Sequence, residues 1–232
     1  QPHSRDTLAA LLWPEHDAPG ARANLRRDLS RLKHVLGDDA LLIDRTQVGL
    51  NPAREWWLDV QAFHNHTEVL RQHHHFPQEA CPACLKACEQ AVALYTADFM
   101  TGFSLPDSPE FDEWQFFEAD SLRRTLADCL QRLLQWHTGQ GEYERAIEYG
   151  RRWLALDPLH EPAHRELIRL YAYANQHAAA LRQYEECERL LAEELGIEPE
   201  PETMELYQAV RTRQLNAPDS PAQPAPRPAA PA

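Results

Sequence analysis

The chain contains no apolar run approaching the roughly 20 residues that a membrane-spanning helix needs. Its first residues lack the charged-then-apolar plan of a secretory signal. Positive charge is short as well: Asp and Glu number 36 against 23 Lys and Arg, a formal charge of −13. Such a balance argues against a protein that coats nucleic acid indiscriminately or lies on anionic lipid. Cysteine is sparse, five in 232 residues, which suits a reducing cytoplasm better than a disulfide framework. Also missing are a glycine-rich phosphate loop, a nucleophile elbow and a convincing catalytic triad, so no enzyme is indicated. These absences leave a cytoplasmic, mainly helical protein, long enough for one or two domains with a real core.

Within this acidic chain lies a basic amphipathic helix, Ala21 to Leu36, followed at once by a β-hairpin. Leu25, Leu29, Leu32 and Leu36 recur at helical spacing and predict one apolar stripe. Arg22, Arg26, Arg27, Arg31 and Lys33 crowd the other faces against a single acid, Asp28. Gly37 supplies the stop, because glycine takes the left-handed geometry beyond a helix end without cost. The hairpin reads as strands Ala40–Asp44 and Gln47–Asn51, with Arg45 and Thr46 at the tip. A short helix, Arg5–Trp13, precedes it, capped by Ser4 and ended by Pro14, and the stretch EHDAPG reads as the linker between the two helices.

Two helices and a hairpin arranged this way fit a winged helix-turn-helix, whose second helix enters the major groove while the wing lies along the phosphate backbone. Arginine suits both tasks, since its fork matches guanine O6/N7 or a phosphate. The candidate DNA-binding residues are Arg22, Asn24, Arg26, Arg27, Ser30, Arg31 and Lys33 on the helix and Arg45 on the wing. The plainer alternative is a solvated basic face balanced by acids elsewhere. The segment is short for an independent fold and starts abruptly, which predicts that an N-terminal piece of the winged helix is missing.

From Trp57 to about Asn216 the pattern is helical throughout. Segments are expected at Asp59–Gln72, Cys84–Phe99 and Glu113–Thr138, the last with Trp114, Phe117, Leu122, Leu126, Leu130, Leu133 and Leu134 on an apolar face. The adjacent Trp56 and Trp57 are expected to pack the hairpin onto the helices. An internal repeat follows, GEYERAI from Gly141 and NQHAAAL from Asn175, about 34 residues apart, the period of tetratricopeptide units. Ala146 and Ala180 are the small residues that let paired helices approach. Beyond Ala217 the chain is nearly all Pro, Ala and polar residues, a semi-rigid linker that predicts a further domain after it. The organisation expected is therefore a winged-helix segment over 1–54, a helical domain over 55–216 and a linker over 217–232.

One cluster carries different chemistry. The stretch HHHFPQEACPACLKAC holds His73, His74, His75, Cys81, Cys84 and Cys88. A C-x-x-C pair sets two thiolates at tetrahedral spacing, and an upstream histidine pair would complete a structural zinc site from His73, His75, Cys81 and Cys84. Cys88, one turn beyond Cys84, is the alternative fourth ligand, and a histidine-rich surface loop with small apolar cysteines is the alternative without metal.

The stretches RDTLAALLWP, ARANLRRDLSRLKHVLG, DRTQVGLNP, WWLDVQAF, ALYTADFMTGF, GEYERAIEYGRRWLALDPLHEPAHRELIRLYA and LLAEELGIEPEPETMELY together resemble the bacterial transcriptional activators of the SARP type (AfsR/DnrI-like). The resemblance runs from Arg5 to Val210 and is most specific between Gly141 and Glu202. It implies a truncated OmpR-like winged helix, lacking the family's leading strands and first helix, followed by a tetratricopeptide-like bacterial transcriptional activator domain. Arg5–Trp13 then looks like the positioning helix, Ala21–Leu36 like the recognition helix and Asp44–Leu50 like the wing. Double-stranded DNA and RNA polymerase are the implied partners, with a homodimer through the helical domain. A protein-interaction scaffold within a larger multidomain sensor is the competing reading. The cysteine cluster is no general feature of the family, so zinc rests on spacing alone.

Overall fold

A computed structural model describes residues 2–73, 81–215 and 217. The chain divides into two compact units, Gln1–Ala62 with Tyr95–Arg124, and Phe63–Leu94 with Thr125–Ala232.

The first unit opens with β1 (His3–Ser4) and α1 (Arg5–Leu12). Ser4 caps α1 as expected, its hydroxyl accepting from the Thr7 N–H at 3.4 Å. The next helix, α2, runs Ala18–Leu36 and so begins three residues before the expected start. Asp17 is the reason: its carboxylate accepts from the Gly20 N–H at 3.0 Å. Pro19 fits the first turn, where its missing N–H has no partner to lose. Gly37 ends the helix with φ 104°, and the Arg54 guanidinium donates to the Leu36 carbonyl at 2.6 Å, a cation placed where the helix dipole favours one.

Strands β2 (Leu41–Ile43) and β3 (Gln47–Leu50) form the expected hairpin, with Leu41 opposite Leu50 and Ile43 opposite Val48. The other edge of β3 carries β1, with His3 opposite Val48, so the sheet order is β1-β3-β2. A two-residue strand has no periodicity to read, and β1 was not expected.

The core of α1, α2 and the sheet is Ala9, Ala21, Leu25, Leu29, Ala40, Leu41 and Val48, with Trp13, Leu36 and Trp56 packed against it. Leu32 departs from the expected stripe and is 46 % exposed. The tryptophan pair also splits. Trp56 donates its indole N–H to the Asn51 carbonyl at 2.9 Å, whereas Trp57 is 73 % exposed.

Helix α3 (Asp59–Gln72) matches its expected span. Helix α4 (Pro82–Leu94) stops short of Phe99, because Tyr95 and Arg123 both donate to the Asp98 carboxylate and draw the chain into a turn. Helix α5 (Pro109–Gly139) is one long helix whose start is tied to α1 by the Ser108 hydroxyl donating to the Leu11 carbonyl at 2.6 Å. Its residues Leu122, Leu126, Leu130, Leu133 and Leu134 are buried as the periodicity predicts, but Trp114, Phe116 and Phe117 are exposed.

Within the second unit, α6 (Tyr143–Leu156), α7 (Glu161–Tyr173), α8 (His177–Glu194) and α9 (Pro201–Arg211) pack successively as two helical pairs. The starts of α6 and α8 lie 34 residues apart, the expected repeat. Ala146 and Ala180 are fully buried. A third small residue, Gly150, marks a closer approach: a Cβ there would lie 2.8 Å from Leu167 Cδ2 and 3.2 Å from Leu134 Cδ1. Gly150→Leu is expected to lower stability by about 1–3 kcal/mol through overpacking. A urea melt checks this, and an unchanged midpoint would show that the α6–α7 interface has room the geometry denies.

Candidate nucleic-acid interface

The exposed side of α2 is built by the same spacing that builds its core. At about 100° per residue, Leu25 and Leu29 face inward and the opposite direction is shared by Arg27 and His34. Arg26 and Ser30 flank that line on one side and Arg31 on the other. All five are exposed, while Asn24 and Lys33 are half-buried nearer the core edge. Arg45 is exposed at the hairpin tip.

The cations differ in how free they are. Arg22 is bound to α1 by a two-pronged contact, Nε and Nη2 each 2.7 Å from the Asp6 carboxylate oxygens. Asp28 lies 3.2 Å from Arg31 and 3.5 Å from Arg27. These pairs are solvent-exposed and so weak that a phosphate can displace them. Arg26, Lys33 and Arg45 have no ion-pair partner among the described residues. The i,i+3 spacing of Asp28 and Arg31 is legible in the chain, whereas Asp6 meets Arg22 only through the packing of α1 on α2.

The wing is held rigidly at its tip. The Asp44 carboxylate accepts from the Thr46 and Gln47 N–H groups, both at 2.7 Å. Those two backbone hydrogen bonds stabilise the carboxylate and hold its pKa below the ordinary aspartate value. Arg5 adds a strap, its N–H bonded to the Thr46 carbonyl at 2.8 Å and its guanidinium to the Asp44 carbonyl at 2.8 Å. No local pattern marks Arg5 for this role, because Asp44 and Thr46 lie about 40 residues away in the chain.

In the second unit, the expected metal cluster is partly assembled. His73 Nδ1 lies 3.3 Å from Cys81 Sγ and 3.3 Å from Cys84 Sγ. One donor atom from each of the three lies within 4.8 Å of the others. The Cys81 thiol is brought down to about 6, chiefly by the Cys84 backbone N–H and also by His73, while burial pushes Cys84 up to about 11. His75 lies outside the described residues. Cys88 does not join this group: it is fully buried and its thiol pairs with Cys129. All five cysteines are free thiols. Among the described residues no helix is long and apolar enough to cross a membrane.

The chain is similar to several known proteins. Residues 58–211 match the bacterial transcriptional activator domain. The regulatory protein AfsR of Streptomyces griseus is 27% identical over 96% of this chain and 21% of its own length. AfsR of Streptomyces coelicolor is 28% identical over 88% of this chain and 20% of its own length. The chain thus spans about a fifth of these relatives. A solved structure of Mycobacterium tuberculosis EmbR, in complex with a low affinity phosphopeptide, superposes with a TM-score of 0.58 over 92% of this chain and 55% of that one. At 17% identity that similarity bears on the fold alone, a winged helix-turn-helix joined to a helical domain. Residues 58–211 make up about two thirds of the chain, which therefore belongs to the bacterial transcriptional activator domain family.

Proposed function

We propose that this chain reads duplex DNA through α2 and the β2–β3 wing, and that its helical region passes the bound state on by dimerising or by contacting RNA polymerase. The observation that carries the reading is the exposed face of α2, where Arg26, Arg27, Ser30 and Arg31 stand together on a rigid helix with Arg45 on the neighbouring wing. A protein of net charge −13 has no general attraction to nucleic acid, so a local basic face is what a selective reader needs. In this reading residues 1–54 are the DNA-binding segment, 55–216 the activator domain and 217–232 a linker. No reaction is assigned to it, and it works in the cytoplasm beside the chromosome.

The wing and the helix are separable by experiment. Arg45→Ala is expected to weaken binding to all duplexes alike and to make the slope of log affinity against log salt shallower by about 1, the signature of one lost phosphate contact. Sequence preference should not change, because backbone contacts position a protein without reading bases. An unchanged salt slope would remove the wing from the interface. The competing scaffold reading predicts no effect of Arg45 on any duplex.

A further inference from the structure

Three donors converge where α3 ends and α4 begins. His73 follows the last residue of α3, with its N–H still bonded to the Val69 carbonyl at 3.2 Å. Cys81 sits just before α4, and its carbonyl accepts from the Leu85 N–H at 3.0 Å as the first rung of that helix. Cys84 is then in the first turn of α4, three residues on, which puts both sulfurs on the same side. Two ligands 2.3 Å and about 2.05 Å from a tetrahedral centre stand about 3.6 Å apart. The two N···S separations of 3.3 Å are a few tenths of an ångström shorter, a gap that small rotations of the side chains would open.

We propose that His73 Nδ1, Cys81 Sγ and Cys84 Sγ form a binding site for a zinc-class divalent metal that fastens the end of α3 to the start of α4. Two thiolates and an imidazole select a soft or borderline cation over magnesium or calcium, which take oxygen ligands. Cys84 is buried while His73 and Cys81 are half-buried, so the site opens on one side. That side admits the ion. Both sulfurs bind as thiolates, and any proton a thiol still carries leaves to solvent as the metal binds. The role is structural: the ion joins two helix ends across the segment 74–80. This site is independent of the DNA-binding reading, which needs no metal.

The full-length protein is purified without added metal or chelator and its zinc content measured. The metal-free protein is then titrated with cobalt(II), whose thiolate charge-transfer and tetrahedral ligand-field bands report the ligands directly. One zinc per chain, and cobalt bands that vanish in Cys81→Ser and in His73→Ala, are expected. Cys84→Ser should behave alike, but Cys84 is buried and that variant can misfold; the two half-buried positions therefore decide, with circular dichroism confirming their fold. Cys88→Ala should keep the bands. The proposal is overturned by a protein without zinc that gives no cobalt bands. Bands surviving Cys81→Ser, or a Cys81–Cys84 disulfide in the purified chain, overturn it equally.

Discussion

Arg165→Met is expected to destabilise the helical region by about 3–5 kcal/mol, the cost of leaving a buried charge without its partner. The Arg165 side chain is 16% exposed and that of Glu161 8%, with 3.7 Å between Arg165 Nη1 and Glu161 Oε1. The same nitrogen lies 2.6 Å from Glu200 Oε2 and 3.1 Å from Thr203 Oγ1. Glu161 also accepts from the Glu200 backbone N–H at 2.7 Å, so the group ties the start of α7 to the start of α9. With Arg165 gone, Glu161 keeps one hydrogen bond and no counter-charge. Against a total stability of about 5–15 kcal/mol for an ordinary domain, this loss is large. Urea denaturation at neutral pH measures it. The double variant Arg165→Met/Glu161→Leu should recover much of the loss, because well-packed apolar residues often replace a buried ion pair without penalty. A single-variant loss below about 1 kcal/mol would mean that the pair behaves as an exposed one.

The second large effect concerns DNA. Arg26→Ala/Arg31→Ala is expected to lower affinity for the preferred duplex by about two orders of magnitude, from about 1–3 kcal/mol per arginine that reads a base. Arg26 is fully available, while Arg31 must leave Asp28, a weak exposed partner, to reach the groove. Leu25 and Leu29 hold the inner side of the helix and are untouched, so the fold should survive. Titration of labelled duplex at two salt concentrations checks the result. Equal binding by the variant and the parent at both salts would exclude this face of α2 as the reader.

Much of this architecture is written in local signals. Leu25 and Leu29 at helical spacing, Ser4 as a cap, Gly37 as a stop and the repeat from Gly141 to Asn175 each carry their own short-range reason. Asp17 and Pro19 carried one too, a cap followed by a proline that suits a first turn, but EHDAPG reads equally as a linker until the Gly20 N–H is seen on the Asp17 carboxylate. Other features depend on what the fold brings near. Periodicity marks Trp114 and Phe117 as apolar positions but cannot say whether anything covers them, and both are exposed. The burial of Glu161 beside Arg165 is equally invisible, since charged residues at i,i+4 usually sit in water. For the interface, the arginines were legible and their availability was not, because Asp6 lies 16 residues from Arg22. The cysteine spacing named Cys81 and Cys84; packing brings His73 to them and sends Cys88 to Cys129, while His75 lies outside the described residues.

The central claim is that this chain reads DNA, and selection from random duplexes by the full-length protein at two salt concentrations tests it most directly. Enrichment of one sequence motif at both salts is the predicted result, with the motif lost when Arg26 and Arg31 are replaced by alanine. Recovery of unselected duplexes only, with binding that disappears at the higher salt, would contradict it and leave the helical region as the working part of the chain.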